Sequence, residues 1–155
     1  MGRTPSLVSA VLGTAVVVCL WRSDRGYGGL VHYRYPNAPD RRKIRMDDGE
    51  TAITRLIKTF LDEGAKARHL KAQIFGGAFQ SFLKGTEVAK ENIRIARMVL
   101  VGQRIPILSE DTGGYMGRKL VYSTGTNETL IYRAATIRKE DWYPYPEEGE
   151  DKHGT

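Results

Sequence analysis

The sequence predicts a layered α+β fold, an α/β/β sandwich with mixed sheets and two main helices. Three observations support this fold class: a valine-rich apolar run near the start, two segments with the apolar spacing of helices, and several short strand-like segments. Strands come first and a helix-strand-helix-strand-strand series follows, which is typical of α+β proteins. The 155 residues are enough for one ordinary domain.

The apolar run predicts two strands, 7–12 and 15–21, because it is rich in valine and continuously apolar, as in strands buried on both faces. Gly13 and Thr14 join the two strands, and the glycine marks a bulge or a close backbone approach. After a polar turn, the Gly-rich and aromatic residues 27–35 are typical of the returning strand of a hairpin.

The same run has an alternative interpretation as a targeting segment. Arg3 precedes it, as the charged region precedes the apolar region of a signal peptide. Met1, Gly2 and Ser6 also fit the minimal myristoylation pattern. Against targeting, the run is shorter than the roughly 20 apolar residues that a membrane-spanning helix needs, and it lacks a small-residue cleavage site. No stable membrane insertion is therefore expected.

The first helix is predicted to begin near Asp48, a suitable N-cap, and to stop at Gly64. Its apolar face consists of residues at three-four spacing: Ile53, Leu56, Ile57, Phe60 and Leu61. A second helix is predicted over about 87–102. The remaining elements are strands at 70–74, 105–108, 118–122 and 129–134 and a glycine-rich loop at 110–117.

The composition favours a mixed, solvated surface over a nucleic-acid interface. The formal charge is +6, but the 24 basic residues are spread along the chain and accompanied by 18 acidic ones. Cys19 is the only cysteine, so an internal disulfide or a multi-cysteine metal site cannot form, which suits a reducing compartment. The sequence indicates no metal or cofactor, and we assign no role to His69 or His153.

The chain is predicted to form one domain over residues 1–137. Residues 138–155 are acidic and rich in proline and aromatic residues without periodicity. We therefore expect an irregular tail there.

Three patterns together resemble the chemoreceptor glutamine deamidase family, CheD: LGTAVVVCLW with GGLVHYRYP, then LKAQIFGGA, then IPILSEDTGGYMGRKLVY. Their order and spacing are similar to that family from about residue 5 to residue 134. The resemblance implies a cysteine-hydrolase-like core. It also implies a cytoplasmic protein that hydrolyses glutamine side-chain amides to glutamate on the helices of methyl-accepting chemoreceptors. Family members usually carry a further strand ahead of the Pro5 segment, so we expect a truncated start or a lost edge strand.

The resemblance also implies the site residues. Ala15 stands at the position of the nucleophilic cysteine, His32 at that of the general base and acid, and Ser9 at that of an orienting threonine. Supporting positions are Gly13, Thr14, Gly76 and Gly77. Glycines such as the last two, directly after a strand, either let backbone N–H groups face an adjacent site or simply form a tight turn.

Ala15 has no nucleophilic atom, so we expect this chain not to deamidate measurably. In subtilisin, loss of the nucleophile costs roughly six orders of magnitude in rate. Cys19 lies on the same face of the strand but roughly 13 Å farther along, so we expect a buried structural thiol. The chain is either a Cys-to-Ala variant or a homologue without the nucleophile.

Two other functions stay open on the sequence. One is a non-catalytic binding protein for receptor helices, and the other is a CheC-type response-regulator phosphatase. A phosphatase of that type is also a candidate partner.

Overall fold

The computed structural model describes residues 4–36, 48–79 and 84–135. Within these ranges it contains seven strands, two α-helices and one short 3-10 helix. In chain order they are β1 Leu7–Leu12, β2 Val16–Arg22, β3 Tyr27–Tyr33, α1 Gly49–Asp62, the 3-10 helix Ala67–His69, β4 Leu70–Gly76, α2 Lys84–Gly102, β5 Ile107–Thr112, β6 Gly117–Ser123 and β7 Thr129–Ala134.

The strands form two sheets. Sheet A has the order β1-β6-β7 and is antiparallel, whereas sheet B has the order β3-β2-β4-β5 and is mixed, since only β4 and β5 run parallel. Both helices pack against sheet B. The layers are therefore helices, sheet B and sheet A, which confirms the predicted α/β/β sandwich.

Strand β2 lies at the centre of the molecule and is buried on both faces. Val16, Val18 and Leu20 pack into the core beneath the helices. Val17 and Cys19 point the other way, into the core between the two sheets. This confirms the prediction of a doubly buried strand for residues 15–21. The same prediction is wrong for residues 7–12, because β1 keeps one face toward solvent and Leu7 is 75% exposed. The apolar front run is thus split between β1 of sheet A and β2 of sheet B.

Helix α1 begins and ends where the sequence predicts. The Asp48 side chain accepts a hydrogen bond from the Glu50 backbone N–H. At the other end, Gly64 has φ of +93° and Ala65 donates to the Phe60 carbonyl, which closes the last turn. Leu61 differs from the prediction: it is 40% exposed and lies outside the apolar face.

Strand β5 is longer than predicted and lies farther along the chain. Residues 110–112, expected in a loop, continue the strand because they pair in parallel with β4 up to Thr112 opposite Gly76. The predicted tail at 138–155 and the loop around 40–45 lie outside the described residues.

No helix in the described part of the chain is long and apolar enough to cross a membrane.

Candidate active site

The corner at residues 13–15 connects β1 of sheet A to β2 of sheet B. Its three carbonyl groups are all held by hydrogen bonds. Ala78 N–H donates to the Gly13 carbonyl at 2.8 Å and Gly77 N–H donates to the Ala15 carbonyl at 2.8 Å. The Asn92 side chain donates to the Thr14 carbonyl at 3.0 Å. The corner is therefore anchored to the end of β4 and to α2.

At the end of β4, where the chain meets this corner, there is room for glycine and for no larger residue. Gly76 has φ of +107°, and a Cβ there would lie 2.3 Å from the Ala15 carbonyl oxygen. Gly77 also has a positive φ of +67°. The structure thus brings Gly76 and Gly77 against Ala15, and their supporting role stays a prediction.

The backbone N–H groups of Gly13, Thr14 and Ala15 donate to no other group among the described residues. With their carbonyls occupied, these three peptides are held in place around position 15. Such anchored donors are what an oxyanion requires.

Ala15 and His32 lie on the same face of sheet B. His32 pairs with Val17 across β2 and β3, and cross-strand partners share a face. Ala15 precedes Val17 by two residues and packs into the same core between the sheets. It is therefore the diagonal neighbour of His32, for which the Cβ separation is about 7 Å.

His32 is exposed to solvent on the edge strand β3. Although the residue is exposed, neighbouring protein atoms remove part of the hydration of its ring. This desolvation lowers the pKa of the imidazole below the ordinary value of 6.5, and the positive charge of Arg34 lowers this pKa further. The neutral imidazole is therefore favoured near neutral pH and is able to accept a proton.

Ser9 is not brought into contact with His32. It pairs with Val121 of β6 and is exposed, while Ala10 and Leu12, one and three residues later, point into the core between the sheets. Alternation along β1 places the Ser9 side chain on the outer face of sheet A. Its hydroxyl forms no hydrogen bond with a described residue, so its orienting role stays a prediction.

Cys19 is also a diagonal neighbour of His32, because it follows Val17 by two residues. Distance along the strand is therefore not what separates this thiol from the base. Burial separates the two groups, because Cys19 is 1% exposed in the core beside Leu12 and Tyr122. Desolvation raises the pKa of the thiol far above its ordinary value of 9.0, so the thiolate does not form.

Asn92 was not identified from the sequence, although it touches the corner directly. It lies on the buried stripe of α2, between Ala89 and Ala96. A polar residue on a stripe that is otherwise apolar is the signal that points to it. Its partners are too distant in the chain for the sequence to reveal them.

The sequence of this chain is similar to those of known proteins over most of its length. Residues 36–133 match the sequence model of a family described as CheD chemotactic sensory transduction. Three relatives are each named probable chemoreceptor glutamine deamidase CheD. One from Trichlorobacter lovleyi is 34% identical over 128 residues, which cover 81% of this chain and 80% of the relative. One from Sulfurimonas denitrificans is 33% identical, covering 82% and 83%. One from Methanosarcina barkeri is 32% identical, covering 84% and 89%.

The match to the family model begins at Pro36 and so starts beyond Ser9, Ala15 and His32. The roles of these three positions therefore stay predictions.

Proposed function

The chain belongs to the CheD family. We therefore propose that it is a chemotaxis protein of the receptor glutamine deamidase type and that its hydrolytic step is blocked at Ala15. The names of its relatives identify the substrate as glutamine in a chemoreceptor. The proposed partners are the cytoplasmic helices of methyl-accepting receptors, and the proposed location is the cytoplasm.

The observation that carries this proposal is the shared face of Ala15 and His32 beside an anchored backbone corner. A thiol at position 15 would lie next to a neutral imidazole that can take its proton. The N–H groups of the corner would face the oxygen of the substrate amide as it becomes negatively charged.

The reaction that such a site supports is amide hydrolysis in two steps. A thiolate attacks the amide carbon of the glutamine side chain, and the C–N bond breaks as the imidazolium returns its proton to the leaving ammonia. Water then hydrolyses the thioester to glutamate and restores the thiol. In this chain the methyl group of Ala15 supplies no electron pair for the attack, so the first step does not begin.

Binding without hydrolysis is the second candidate function. It is supported by the same methyl group, because Ala15 lacks a nucleophilic atom while it still shares a face of sheet B with His32 beside the anchored corner. A CheC-type phosphatase is a further proposed partner of either function.

Restoring the thiol tests the proposal. Ala15→Cys is expected to release ammonia from a receptor-helix peptide containing glutamine, with glutamate appearing in the peptide by mass spectrometry. The unchanged chain should bind the same peptide without releasing ammonia.

Two matched variants give the controls. Adding Cys19→Ala to Ala15→Cys should leave the rate unchanged, whereas adding His32→Gln should lower it by about 100-fold or more. Ammonia release by the unchanged chain at the rate of Ala15→Cys would contradict the blocked step. An Ala15→Cys variant that binds the peptide but releases no ammonia would favour the binding function.

The partnership with a CheC-type phosphatase is tested by repeating the binding assay with such a phosphatase present.

A further inference from the structure

Asn92 is a fully buried polar side chain on the buried stripe of α2, among Ala89, Ile93 and Ala96. Its side-chain amide donates to two backbone carbonyls, that of Thr14 at 3.0 Å and that of Arg34 at 2.9 Å. Both acceptors are carbonyl oxygens, so the NH₂ group must point toward the sheet. One residue of α2 thereby holds two segments that lie 78 and 58 positions away in the chain.

The two carbonyls flank the two site positions. Thr14 directly precedes Ala15, and Arg34 follows His32 by two residues. The ladder between β2 and β3 ends at the Val16–Tyr33 pair, and Asn92 spans the strands just past that end. Tyr33 adds a second contact by donating its hydroxyl to the Asn92 backbone carbonyl. The end of the ladder nearest the site is thus closed by a side chain.

The remaining polar atom of the amide is its oxygen. Asn92 Oδ1 is buried and has no hydrogen-bond partner among the described residues. A buried oxygen without a partner opposes folding, and buried polar atoms are normally paired. An apolar residue of similar shape would remove this cost but would leave the Thr14 and Arg34 carbonyls without their side-chain donor.

We propose that Asn92 is a positioning residue that fixes the distance between position 15 and His32 by holding the Thr14 and Arg34 carbonyls together. This inference rests on the function proposed above for the site. Asn92 does not touch the substrate. It acts by keeping a thiol at position 15 within reach of the imidazole, and a displacement of about 1 Å in such a pair can cost about 100-fold in rate.

The test uses the Ala15→Cys chain, with and without Asn92→Ala. The first readout is the pH dependence of iodoacetamide alkylation of the introduced thiol. With Asn92 present, pairing with His32 should hold the pKa of this thiol below that of a free cysteine. Asn92→Ala should move it back toward the free value and slow alkylation at neutral pH by about tenfold. The second readout is ammonia release, for which kcat should fall by about 100-fold with little change in KM.

Leu100→Ala is the matched control, because Leu100 is buried on the same helix and lies two turns beyond Asn92. It should lower stability without moving the thiol pKa. Asn92→Ser, which keeps a donor for one carbonyl, should give an intermediate shift and serves as the test variant if Asn92→Ala does not fold.

An alkylation profile that the Asn92 variants leave unchanged, or that Leu100→Ala shifts equally, would overturn the inference. The alkylation readout also separates the two proposals. If Ala15→Cys releases no ammonia, the proposed reaction fails, while the dependence of the thiol pKa on Asn92 is still measured.

Discussion

At the scale of single residues, the backbone at Gly76 is fitted closely to the carbonyl of Ala15. The positive φ of Gly76 disfavours any side chain, and its missing Cβ leaves the space that the Ala15 carbonyl oxygen occupies. The same carbonyl accepts the Gly77 N–H. The corner thus depends on a glycine that is distant in sequence.

Gly76→Ala is expected to destabilise the protein by about 3 kcal/mol, because it combines an unfavourable φ with a clash against backbone atoms that cannot rotate away. Urea unfolding followed by circular dichroism measures the change in the free energy of unfolding.

Gly13→Ala is the control within the same corner. A Cβ at Gly13 would have no atom within 4 Å, and its φ lies outside the left-handed region. Its effect should stay within about 1 kcal/mol, with stabilisation expected if the backbone accepts alanine without strain. Equal losses for the two variants would show that the space around Gly76 is not the cause.

Two positions of the candidate site were predicted from a sequence pattern, and their roles stay predictions. Ala15 and His32 were located by their spacing within a recognisable pattern, and the register of β2 and β3 places them as diagonal neighbours. Asn92 could not be found in this way, because its role depends on two backbone carbonyls that tertiary packing brings together.

At the scale of secondary structure, helix α1 shows how local signals set both ends of an element. Asp48 satisfies a backbone N–H of the first turn, and Gly64 allows the last turn to close. These signals act between residues that are neighbours in the chain, so the sequence alone was sufficient to place the helix.

Asp48→Ala should lower the free energy of unfolding by about 1 kcal/mol, since the N-cap acceptor is lost. Thermal unfolding by calorimetry is a suitable measurement.

Asp62→Ala is the control at the opposite end of α1. Its side chain is 63% exposed, and its one ion pair within the described ranges is with the exposed Lys58 one turn earlier, so a change within about 0.5 kcal/mol is expected. A loss at position 62 as large as at position 48 would contradict the capping argument.

Strand β5 shows where local signals fail. Residues 110–112 are polar and lead into glycines, which favours a loop on local grounds. Parallel pairing with β4 supplies backbone hydrogen bonds that outweigh this preference. The partner strand lies more than 30 residues earlier, beyond the reach of any local pattern.

At the scale of the whole molecule, one carboxylate joins the two sheets. Asp111 of β5 in sheet B accepts hydrogen bonds from Arg118 of β6 and Arg133 of β7, both in sheet A. Arg118 is buried and also donates to the carbonyls of Gly113 and Met116. The loop between β5 and β6 is therefore tied to this ion pair.

Arg118→Met is expected to cost about 3 kcal/mol, because it leaves buried carbonyls unpaired and removes one partner of Asp111. Arg133→Met should cost less than about 1 kcal/mol, since the Arg133 side chain is 57% exposed. Urea unfolding of the two variants side by side makes the comparison.

Acid unfolding gives an independent check on the same ion pair. Burial raises the pKa of Asp111, but the hydrogen bonds from Arg133 and Arg118 outweigh this and hold the pKa below the ordinary value of 3.8. The pair therefore contributes stability above that value and loses it as the pH falls further. Arg118→Met should reduce the loss of stability on acidification, and an unchanged acid profile would contradict the assignment.

The pairing of β1 with β6 has a consequence for the order in which the protein can fold. Leu7 pairs with Ser123, whereas β2 and β3 form a hairpin separated by a four-residue turn. On the ribosome, β1 must wait for the chain to reach β6, while the hairpin that carries His32 can form much earlier. The base of the proposed site is thus assembled from local contacts, and the corner bearing position 15 gains its second sheet only after β6 has been synthesised.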